Sequence, residues 1–378
     1  MRSDKINSFL RERIVANDFP SAVYLVAEKG KILLLDAMGS AVVHPELIEA
    51  KINTIYDLAS LTKVLVTGLL TAKLIEDGRV GLDDPVSRFL PELDVADKRK
   101  ITVRQLVSHM SQIPAWKPLY LFASDPGNVL TEIAETPLDT GPPSVIYSDL
   151  NFIILGKLIE RVTGKDLDAV ASEMIFMPLG LRSTMYNPPD MLRRKIAGSE
   201  LGNKYEQEMC IEKGFAPKVG SGEGEAKGSA FRDYQIWGEV HDGNAFYMGG
   251  VSGHAGLFST AKDIFKIAEQ FLPNYSQILN PETCALFRTD LAPGMNEHRS
   301  FAFQLATMPE STAGVAMSRE SFGHLGFTGT GLWIDPVRER VFVLLTNRTH
   351  DHPLPFVIIN AVRRRFHELA IEFLDENT

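Results

Sequence analysis

Apolar residues in the first part of the chain follow a helical spacing and then a strand-like one. Between Ile6 and Ile14 they recur at every fourth position, which predicts an amphipathic helix. Two runs rich in β-branched and aliphatic residues follow at 22–28 and 31–37, and Gly30 lies in the link between them. Two such runs joined by a short glycine-containing link predict a β-hairpin.

A buried helix is predicted next. The short β-rich run 54–58 leads into Ser60, and from Leu61 to Ile75 apolar residues fall on nearly every side of a helix. Gly78 follows, and glycine suits the left-handed conformation that commonly ends a helix. A helix that is apolar all round belongs in the interior, so we expect this one in the middle of the molecule.

The rest of the chain falls into stretches of different character. Residues 82–179 look mainly helical, with proline-rich connections. Residues 186–250 are rich in glycine and charge, with GSGEGEAKGS at their centre, and this composition favours a long excursion or lid, with local disorder as the alternative. Beyond them, the spacing predicts a helix near 261–271, strands at 331–334 and 340–346, and an amphipathic helix at about 355–373.

Strands at both ends of the chain around a helical middle predict an α+β fold. We expect one antiparallel β-sheet built from N- and C-terminal strands and flanked by helices, plus a mainly helical subdomain. The chain is interpreted as a single domain, 1–378. Its predicted parts are an α/β part at about 1–80 and 251–378, a helical part at about 81–185, and a Gly-rich insertion at about 186–250.

Charge and composition argue against several kinds of partner. The formal net charge is -9, from 39 Lys and Arg against 48 Asp and Glu, and the basic residues are dispersed. Nucleic acid is therefore not expected, because phosphate binding needs a basic face. The chain has no run of about 18 apolar residues, which predicts no membrane span. The polar N-terminus lacks the apolar core of a signal peptide, so a cytoplasmic location is expected.

Two Ser-x-x-Lys sequences occur, at Ser60–Lys63 and at Ser259–Lys262. Residues three apart lie on the same face of a helix, so either lysine can reach its serine. A lysine activates a serine nucleophile only if burial lowers its pKa, and Lys63 begins an almost wholly apolar helix, where desolvation is expected to be strong. The second pair instead resembles a helix start, with a hydroxyl cap and a carboxylate in the first turn. For Ser60, taken alone, a capping role remains the alternative.

The order of three motifs resembles the penicillin-recognising serine hydrolases, and within them the class C β-lactamase-like group. That group includes D,D-carboxypeptidases, D-aminopeptidases and lipase-like esterases. The motifs are Ser60-x-x-Lys63, then Tyr147-Ser148-Asp149 before an apolar helix, then His324-Leu325-Gly326 just ahead of a strand. Supporting stretches are YDLASLTK, LVSHMSQIP, YSDLNFIILGKLIERVTG, GGVSGHAGLFSTAKD, GHLGFTGTGLWIDP and VFVLLTNR.

The resemblance implies catalytic roles for three residues. Ser60 Oγ attacks a carbonyl and forms an acyl-enzyme, Lys63 holds or accepts the proton, and Tyr147 acts as general base and later protonates the leaving group. A free tyrosine has a pKa near ~10, so this role requires a neighbouring cation. Without the other motifs, the favoured interpretation of Tyr147 is a tyrosine at a helix entry that packs on the core.

The third motif is implied to bind substrate. An edge strand at His324 and Gly326 aligns the substrate through backbone hydrogen bonds, and the N–H of Phe327 joins that of Ser60 in an oxyanion hole. Where β-lactamases have Lys-Thr-Gly, this chain has His324, which removes a fixed positive charge and weakens the case for a β-lactamase or a strict D,D-carboxypeptidase. Outside this context His324 also fits an ordinary turn.

Two further positions depart from the family pattern: Asp149, and the loop Met110-Ser111-Gln112, which lacks the glycine commonly found there. Asp149 stands where many members have asparagine; there it either stabilises the ammonium form of Lys63 or binds the amine of a substrate. We expect Asn151 to supply the amide group that Asp149 lacks.

A last stretch resembles a subgroup of bacterial cell-wall hydrolases, some of which remove peptides from muramic acid. This stretch is the segment from Gly238 to Gly256, where His241 is a candidate pocket residue; a solvated loop or local cap is the alternative. The preferred interpretation is a serine hydrolase that cleaves a small amide or ester, with muropeptides as the favoured substrate class. The alternatives are a promiscuous carboxylesterase, a true β-lactamase and a catalytically silent peptide-binding protein. No cofactor and no metal are expected, because the chain lacks the ligand spacings of both.

Overall fold

A computed structural model describes residues 3–215 and 231–377 of the chain. The GSGEGEAKGS stretch, for which a lid or local disorder is predicted, lies outside these residues. The strands are β1 (Ser21–Glu28), β2 (Lys31–Val42), β3 (Ile48–Glu49), β4 (Tyr56–Asp57), β5 (Met185–Tyr186), β6 (Leu257–Ser259), β7 (Gln304–Leu305), β8 (Phe322–Leu325), β9 (Gly331–Asp335) and β10 (Arg340–Thr346).

Helices surround these strands and fill the middle of the chain. The α-helices are α1 (Asp4–Val15), α2 (Leu69–Glu76), α3 (Val103–Val107), α4 (Leu119–Phe122), α5 (Val129–Glu135), α6 (Asp149–Thr163), α7 (Leu167–Ala171), α8 (Lys204–Glu212), α9 (Gly243–Tyr247), α10 (Ala261–Ala268), α11 (Pro281–Cys284) and α12 (Asn360–Asn377). Two stretches are π-helical, Lys63–Gly68 and Ser172–Phe176. Short 3₁₀ turns lie at Val86–Arg88, Pro91–Leu93, Pro126–Asn128, Asp190–Lys195, Glu269–Phe271 and Ala285–Arg288.

The main sheet joins the two ends of the chain. Its seven strands run in the order β3-β2-β1-β10-β9-β8-β7, and every neighbouring pair is antiparallel. The N-terminal hairpin pairs β1 with β2, and β1 pairs on its other side with β10. The predicted α+β fold, with one antiparallel sheet made from both termini, is confirmed. The predicted boundaries of the subdomains stay a prediction.

Alternate side chains of β10 pack on opposite faces of the sheet. Phe342 and Leu344 point to a core layer shared with α1 and α12, whereas Val341, Val343 and Leu345 belong to the larger core around the central helix. All these residues are buried, because a strand that is covered on both faces has no solvent side. The sheet therefore lies between terminal helices and the helical interior.

The central helix of this core begins directly after Ser60. Helical structure starts at Leu61, passes through the π-helical stretch Lys63–Gly68 and continues as α2. A π-helical turn widens the backbone and is frequent at functional sites. Gly68 allows close packing there, since an added Cβ lies 3.0 Å from the Cβ of Ala302. This arrangement agrees with the predicted buried helix.

One predicted boundary is wrong. The last helix begins at Asn360, not near Pro355, and Phe356 packs on Phe327 and Tyr205. β7 pairs with Phe322 and Gly323 of β8, so this strand is open on that side only from His324 onward, where an edge strand is predicted. Among the described residues, no helix is both long and apolar enough to cross a membrane.

Candidate active site

Ser60 follows a short strand whose backbone is fixed from both sides. Ala59 has a φ of 46°, a left-handed conformation that is unusual for alanine, and its N–H donates to Asp57 Oδ1 at 2.8 Å. Thr328 and Thr330 donate their hydroxyls to the carbonyls of Asp57 and Leu58, at 2.7 and 3.0 Å. These bonds place the turn that carries Ser60 against the turn that follows His324.

Lys63 is buried with its ammonium group in contact with three acceptors. Its Nζ lies 2.8 Å from Ser60 Oγ, 2.7 Å from Asp149 Oδ1 and 3.0 Å from the carbonyl oxygen of His254. The pKa of Lys63 is not lowered as its apolar helix suggested: burial lowers it, but the charges of Asp149 and Tyr147 outweigh burial and raise it above the ordinary value. Of the two roles predicted for Asp149, the geometry matches the stabilisation of the Lys63 ammonium.

The third acceptor of Lys63, the carbonyl oxygen of His254, lies in a turn that begins at Gly253. At Gly253 an added Cβ would lie only 2.1 Å from the carbonyl oxygen of Phe152, so any larger residue would collide with α6. Thr67 donates its hydroxyl to the carbonyl oxygen of Gly253 at 2.6 Å. The turn is thus held between α6 and the central helix, and this position directs the carbonyl of His254 at Lys63.

Tyr147 lies directly before α6, whose N-cap is Ser148. Its ring centroid is 5.2 Å from Lys63 Nζ and 5.3 Å from Cζ of Arg299, so two cations flank the phenol. The Ser148 hydroxyl accepts from the N–H of Asn151, as expected of a cap. The capped helix start therefore directs Tyr147 and Asp149 into the same cleft as Ser60.

Two buried histidines stand beside Tyr147, with ring centroids 4.7 Å away for His109 and 5.7 Å away for His324. Burial lowers the pKa of both well below the ordinary value, and the charges of Lys63 and Arg299 lower both further. His109 Nδ1 accepts from the Ser148 N–H, whereas His324 Nδ1 donates to the carbonyl oxygen of Leu325. Both rings are therefore neutral, in opposite tautomers, and His324 does not replace a lysine charge.

The turn after His324 is locked by two arginines. Arg363 Nη2 donates to the carbonyl oxygens of Gly326 and Thr330, at 3.0 and 2.9 Å, and Arg348 Nε donates to that of Phe327 at 2.6 Å. An added Cβ at Gly326 would lie 2.6 Å from the carbonyl oxygen of Leu58, so glycine permits the close approach. Within the described residues, neither the Phe327 N–H nor the Ser60 N–H has an acceptor, which leaves both available to a ligand oxygen.

These residues line a cleft of about 410 Å³. Its lining includes both acidic and basic side chains. The lining residues are Ala59, Ser60, Ala115, Trp116, Tyr147, Asp149, Tyr205, Glu206, Met209, His241, Asp242, Ala255, Arg299, Gln304, His324, Leu325, Gly326, Phe327, Arg348 and Arg363. The cleft has room for a small peptide or ester, with the serine and tyrosine both at its surface.

Asn151 does not line the cleft, so its predicted part in substrate binding is wrong. It is fully buried, its Oδ1 accepts from Ser111 Oγ at 2.8 Å, and its Nδ2 donates to the carbonyl oxygen of Leu106 at 3.3 Å. The residue lies in the first turn of α6 and faces α3, so its amide holds the loop after α3 in place.

His241 lines the cleft as predicted, but it is buried and engaged. Its Nε2 lies 2.7 Å from Glu200 Oε2, and its ring stacks on Phe327 at 5.4 Å between centroids. Burial lowers the pKa of His241, but the hydrogen bond and charge of Glu200 outweigh burial and raise it. This geometry places His241 behind Phe327 as a support.

Glu206 and Arg299 are among the cleft residues that the sequence predictions missed. Glu206 comes from α8, inside the Gly-rich excursion, and burial raises its pKa to about 7. Its carboxylate accepts from Tyr120 Oη at 2.9 Å and from the N–H of Gly243 at 2.7 Å. Arg299 precedes β7 and belongs to none of the motifs. No spacing signal marks either residue, because long-range packing alone brings them to the site.

The described part of the chain has no group of side chains that could bind a metal ion. No three His, Cys, Asp or Glu side chains converge there in a way that holds an ion. The N–H of Val43 donates a hydrogen bond to Nε2 of the His350 ring at 2.8 Å. Both cysteines are buried and free.

Comparison with known proteins agrees with this geometry. The chain matches the Beta-lactamase family over residues 6–363. An Escherichia coli (strain K12) protein named "Putative D-alanyl-D-alanine carboxypeptidase" is 32% identical over 361 residues, covering 88% of this chain and 79% of that protein. The structure of EstCE1, a hydrolase with promiscuous acyltransferase activity, gives a TM-score of 0.73 at 21% identity and covers 97% of each chain. A class C β-lactamase from Rhodobacter sphaeroides gives 0.71 at 18% identity, covering 98% of this chain and all of the other.

Proposed function

The chain belongs to the β-lactamase family and is a serine hydrolase, and from this membership we propose that it cleaves a peptide bond in cell-wall muropeptides through an acyl-enzyme on Ser60. The name of the E. coli relative supports a peptide with D-alanine residues at its end. The segment from Gly238 to Gly256, which resembles cell-wall hydrolases, supports the same substrate class and contributes His241 and Asp242 to the cleft.

The hydrogen bonds of Lys63 carry the assignment of the base. Ser60 Oγ, Asp149 Oδ1 and the carbonyl oxygen of His254 all lie within hydrogen-bond distance of Nζ, and all three are acceptors for an ammonium group. Lys63 in this form has no lone pair to accept the proton of Ser60. We therefore assign the role of base to Tyr147, and Lys63 stabilises negative charge on the oxygens beside it.

The proton path returns every group to its starting state. Tyr147 takes the proton of Ser60 as Oγ bonds to the substrate carbonyl carbon, and the N–H groups of Ser60 and Phe327 hold the oxyanion. The C–N bond then breaks, and the leaving nitrogen takes the proton from Tyr147. Water next gives a proton to Tyr147 and attacks the acyl carbon, the ester bond to Ser60 breaks, and Oγ regains its proton from Tyr147.

Labelling and turnover test this proposal together. A fluorophosphonate probe is expected to add mass at Ser60, and an N-acylated peptide ending in D-Ala-D-Ala is expected to release D-alanine. Ser60→Ala should abolish both, whereas Ser259→Ala, a matched change in the other Ser-x-x-Lys sequence, should abolish neither. Folded protein that takes no label, or that cleaves p-nitrophenyl esters or nitrocefin but no D-alanyl peptide, contradicts the proposal.

A further inference from the structure

His109 bonds to the backbone on both sides of Tyr147. The N–H of Ile146, the residue before the tyrosine, donates to the carbonyl oxygen of His109 at 2.9 Å. The N–H of Ser148, the residue after it, donates to Nδ1 of the His109 ring, also at 2.9 Å. One residue thus holds both chain neighbours of the phenol, and its position helps to set where the phenol lies.

The ring of His109 also packs against the tyrosine. It is fully buried, and its centroid lies 4.7 Å from that of Tyr147 and 5.2 Å from that of Phe152 in α6. Aromatic rings at these separations are in contact. The imidazole therefore holds Tyr147 through ring packing as well as through the two hydrogen bonds.

Neither the backbone of His109 nor its packing explains why this position is a histidine. Its φ is 60°, just after α3 ends, a left-handed conformation that glycine or asparagine usually takes. Its buried Nε2 has no partner among the described residues, so phenylalanine would fill the same space without an unpaired donor. The feature that histidine adds is the acceptor at Nδ1, and an unusual backbone conformation is often retained for such a role.

Nδ1 accepts a hydrogen bond only while the ring is neutral. Burial lowers the pKa of His109 well below its ordinary value, and the charges of Arg299 and Lys63 lower it further. The lone pair on Nδ1 is therefore available at neutral pH. His324, the other histidine beside the phenol, instead turns its Nδ1 to the carbonyl oxygen of Leu325.

We propose that His109 is the positioning residue of Tyr147, and that the hydrogen bond from Ser148 to its Nδ1 keeps the phenol in place to take the proton of Ser60. His109 touches no reacting atom in this role and acts only through the tyrosine. A small displacement of a base lowers the rate strongly, because proton transfer requires hydrogen-bond reach. The inference rests on the proposed function, since it assumes that Tyr147 is the base.

Two substitutions at His109 separate the hydrogen bond from the packing. His109→Phe keeps an aromatic ring against Tyr147 but removes the acceptor. His109→Asn loses the ring, but its Oδ1 can take the place of Nδ1 and asparagine tolerates the left-handed backbone. On an N-acylated D-Ala-D-Ala peptide, we expect His109→Phe to lower kcat by roughly 10- to 100-fold with KM within about threefold, because a misplaced base weakens the transition state alone. His109→Asn should restore kcat to within about fivefold of the wild type.

His367→Phe is the matched control. It makes the same change at another buried histidine, which bonds to the carbonyl oxygen of Thr312 and does not line the cleft. This variant should lower stability without changing kcat per folded enzyme. A folded His109→Phe enzyme that loses less than about tenfold in kcat would overturn the inference. If His109→Phe does not fold, His109→Asn decides alone, and a folded enzyme outside the fivefold range contradicts the role of Nδ1.

Labelling distinguishes this failure from failure of the proposed function. The rate at which a fluorophosphonate labels Ser60 depends on the base but on no peptide. His109→Phe and Tyr147→Phe should each slow labelling, and the double variant should be no slower than Tyr147→Phe, because both changes act at one step. If no D-alanyl peptide is cleaved but labelling follows this pattern, the proposed substrate fails and the inference stands. Further slowing in the double variant, or wild-type labelling in Tyr147→Phe, shows that His109 does not act through the tyrosine.

Discussion

The two Ser-x-x-Lys sequences of this chain have the same spacing and opposite surroundings. Lys63 is buried in a π-helical stretch and has an aspartate partner at 2.7 Å, whereas Lys262 is exposed on α10. Ser60 lies at the surface of the cleft, whereas Ser259 is buried in β6 and shares a hydrogen bond of 2.7 Å with Thr184. The cap of α10 is the neighbouring Thr260, in line with the predicted helix start.

This difference shows that Ser-x-x-Lys spacing alone does not identify a reactive pair. Helical geometry brings a lysine within reach of a serine in both places. Only at Lys63 do residues distant in sequence, Asp149 and His254, complete the shell of acceptors around the amine. The reactive pair is thus defined by its tertiary partners.

Replacing the two lysines gives the largest expected contrast. Lys63→Ala removes the cation beside Ser60 and Tyr147 and should lower kcat/KM by about 100-fold or more. Lys262→Ala should leave kcat/KM unchanged, because its side chain is exposed on a helix outside the cleft. Steady-state kinetics on a D-alanyl peptide, with circular dichroism to verify folding, provide the measurement. Near wild-type turnover in Lys63→Ala would remove this lysine from the mechanism.

Asp149→Asn is expected to have an intermediate effect by removing the partner charge alone. The raised pKa of Lys63 keeps the wild-type ammonium intact as pH rises into the alkaline range. Without Asp149, burial prevails and the pKa of Lys63 falls, so the active ammonium form is lost at lower pH. The alkaline limb of the kcat/KM profile should move down by about one pH unit or more. An identical limb in both enzymes would show that Asp149 does not control the lysine.

The smallest effect is expected for a change in the second Ser-x-x-Lys sequence, Ser259–Lys262. Thr260→Ala removes the hydroxyl that accepts from the N–H of Asp263 at 3.3 Å and should lower the free energy of unfolding by about 1 kcal/mol. Urea unfolding should show a lower midpoint with the same slope, and kcat/KM should not change. A loss of activity larger than the loss of folded protein would give this segment a role beyond capping.

Periodicity predicted much of the sheet because the strands are local patterns. The runs at 22–28 and 340–346 become neighbouring strands, and the apolar helix after Ser60 becomes the centre of the core. The start of α12 was not predictable from its spacing, since the tertiary packing of Phe356 decides where the chain turns.

The candidate site likewise contains residues that the sequence predicted and residues that it did not. The family resemblance implied that Ser60, Lys63 and Tyr147 converge, and the structure places Lys63 Nζ at 2.8 Å from Ser60 Oγ and at 5.2 Å from the ring centroid of Tyr147. Asn151 follows the second motif closely, yet it faces α3, because the direction of a side chain at a helix start depends on what the helix packs against. Arg299 lies 25 positions before His324 in a segment without periodicity, so only the folded chain reveals it.

The two arginines that fix the turn after His324 both come from the last part of the chain. Arg348 follows β10, 21 positions after Phe327, and Arg363 lies on α12, 37 positions after Gly326. Premature termination or proteolytic trimming ahead of Asn360 therefore removes one of these clamps while sparing every catalytic side chain. The resulting protein would keep its nucleophile and lose the rigid amide that stabilises the reacting oxygen, so an intact C-terminus is a condition for chemistry as well as for folding.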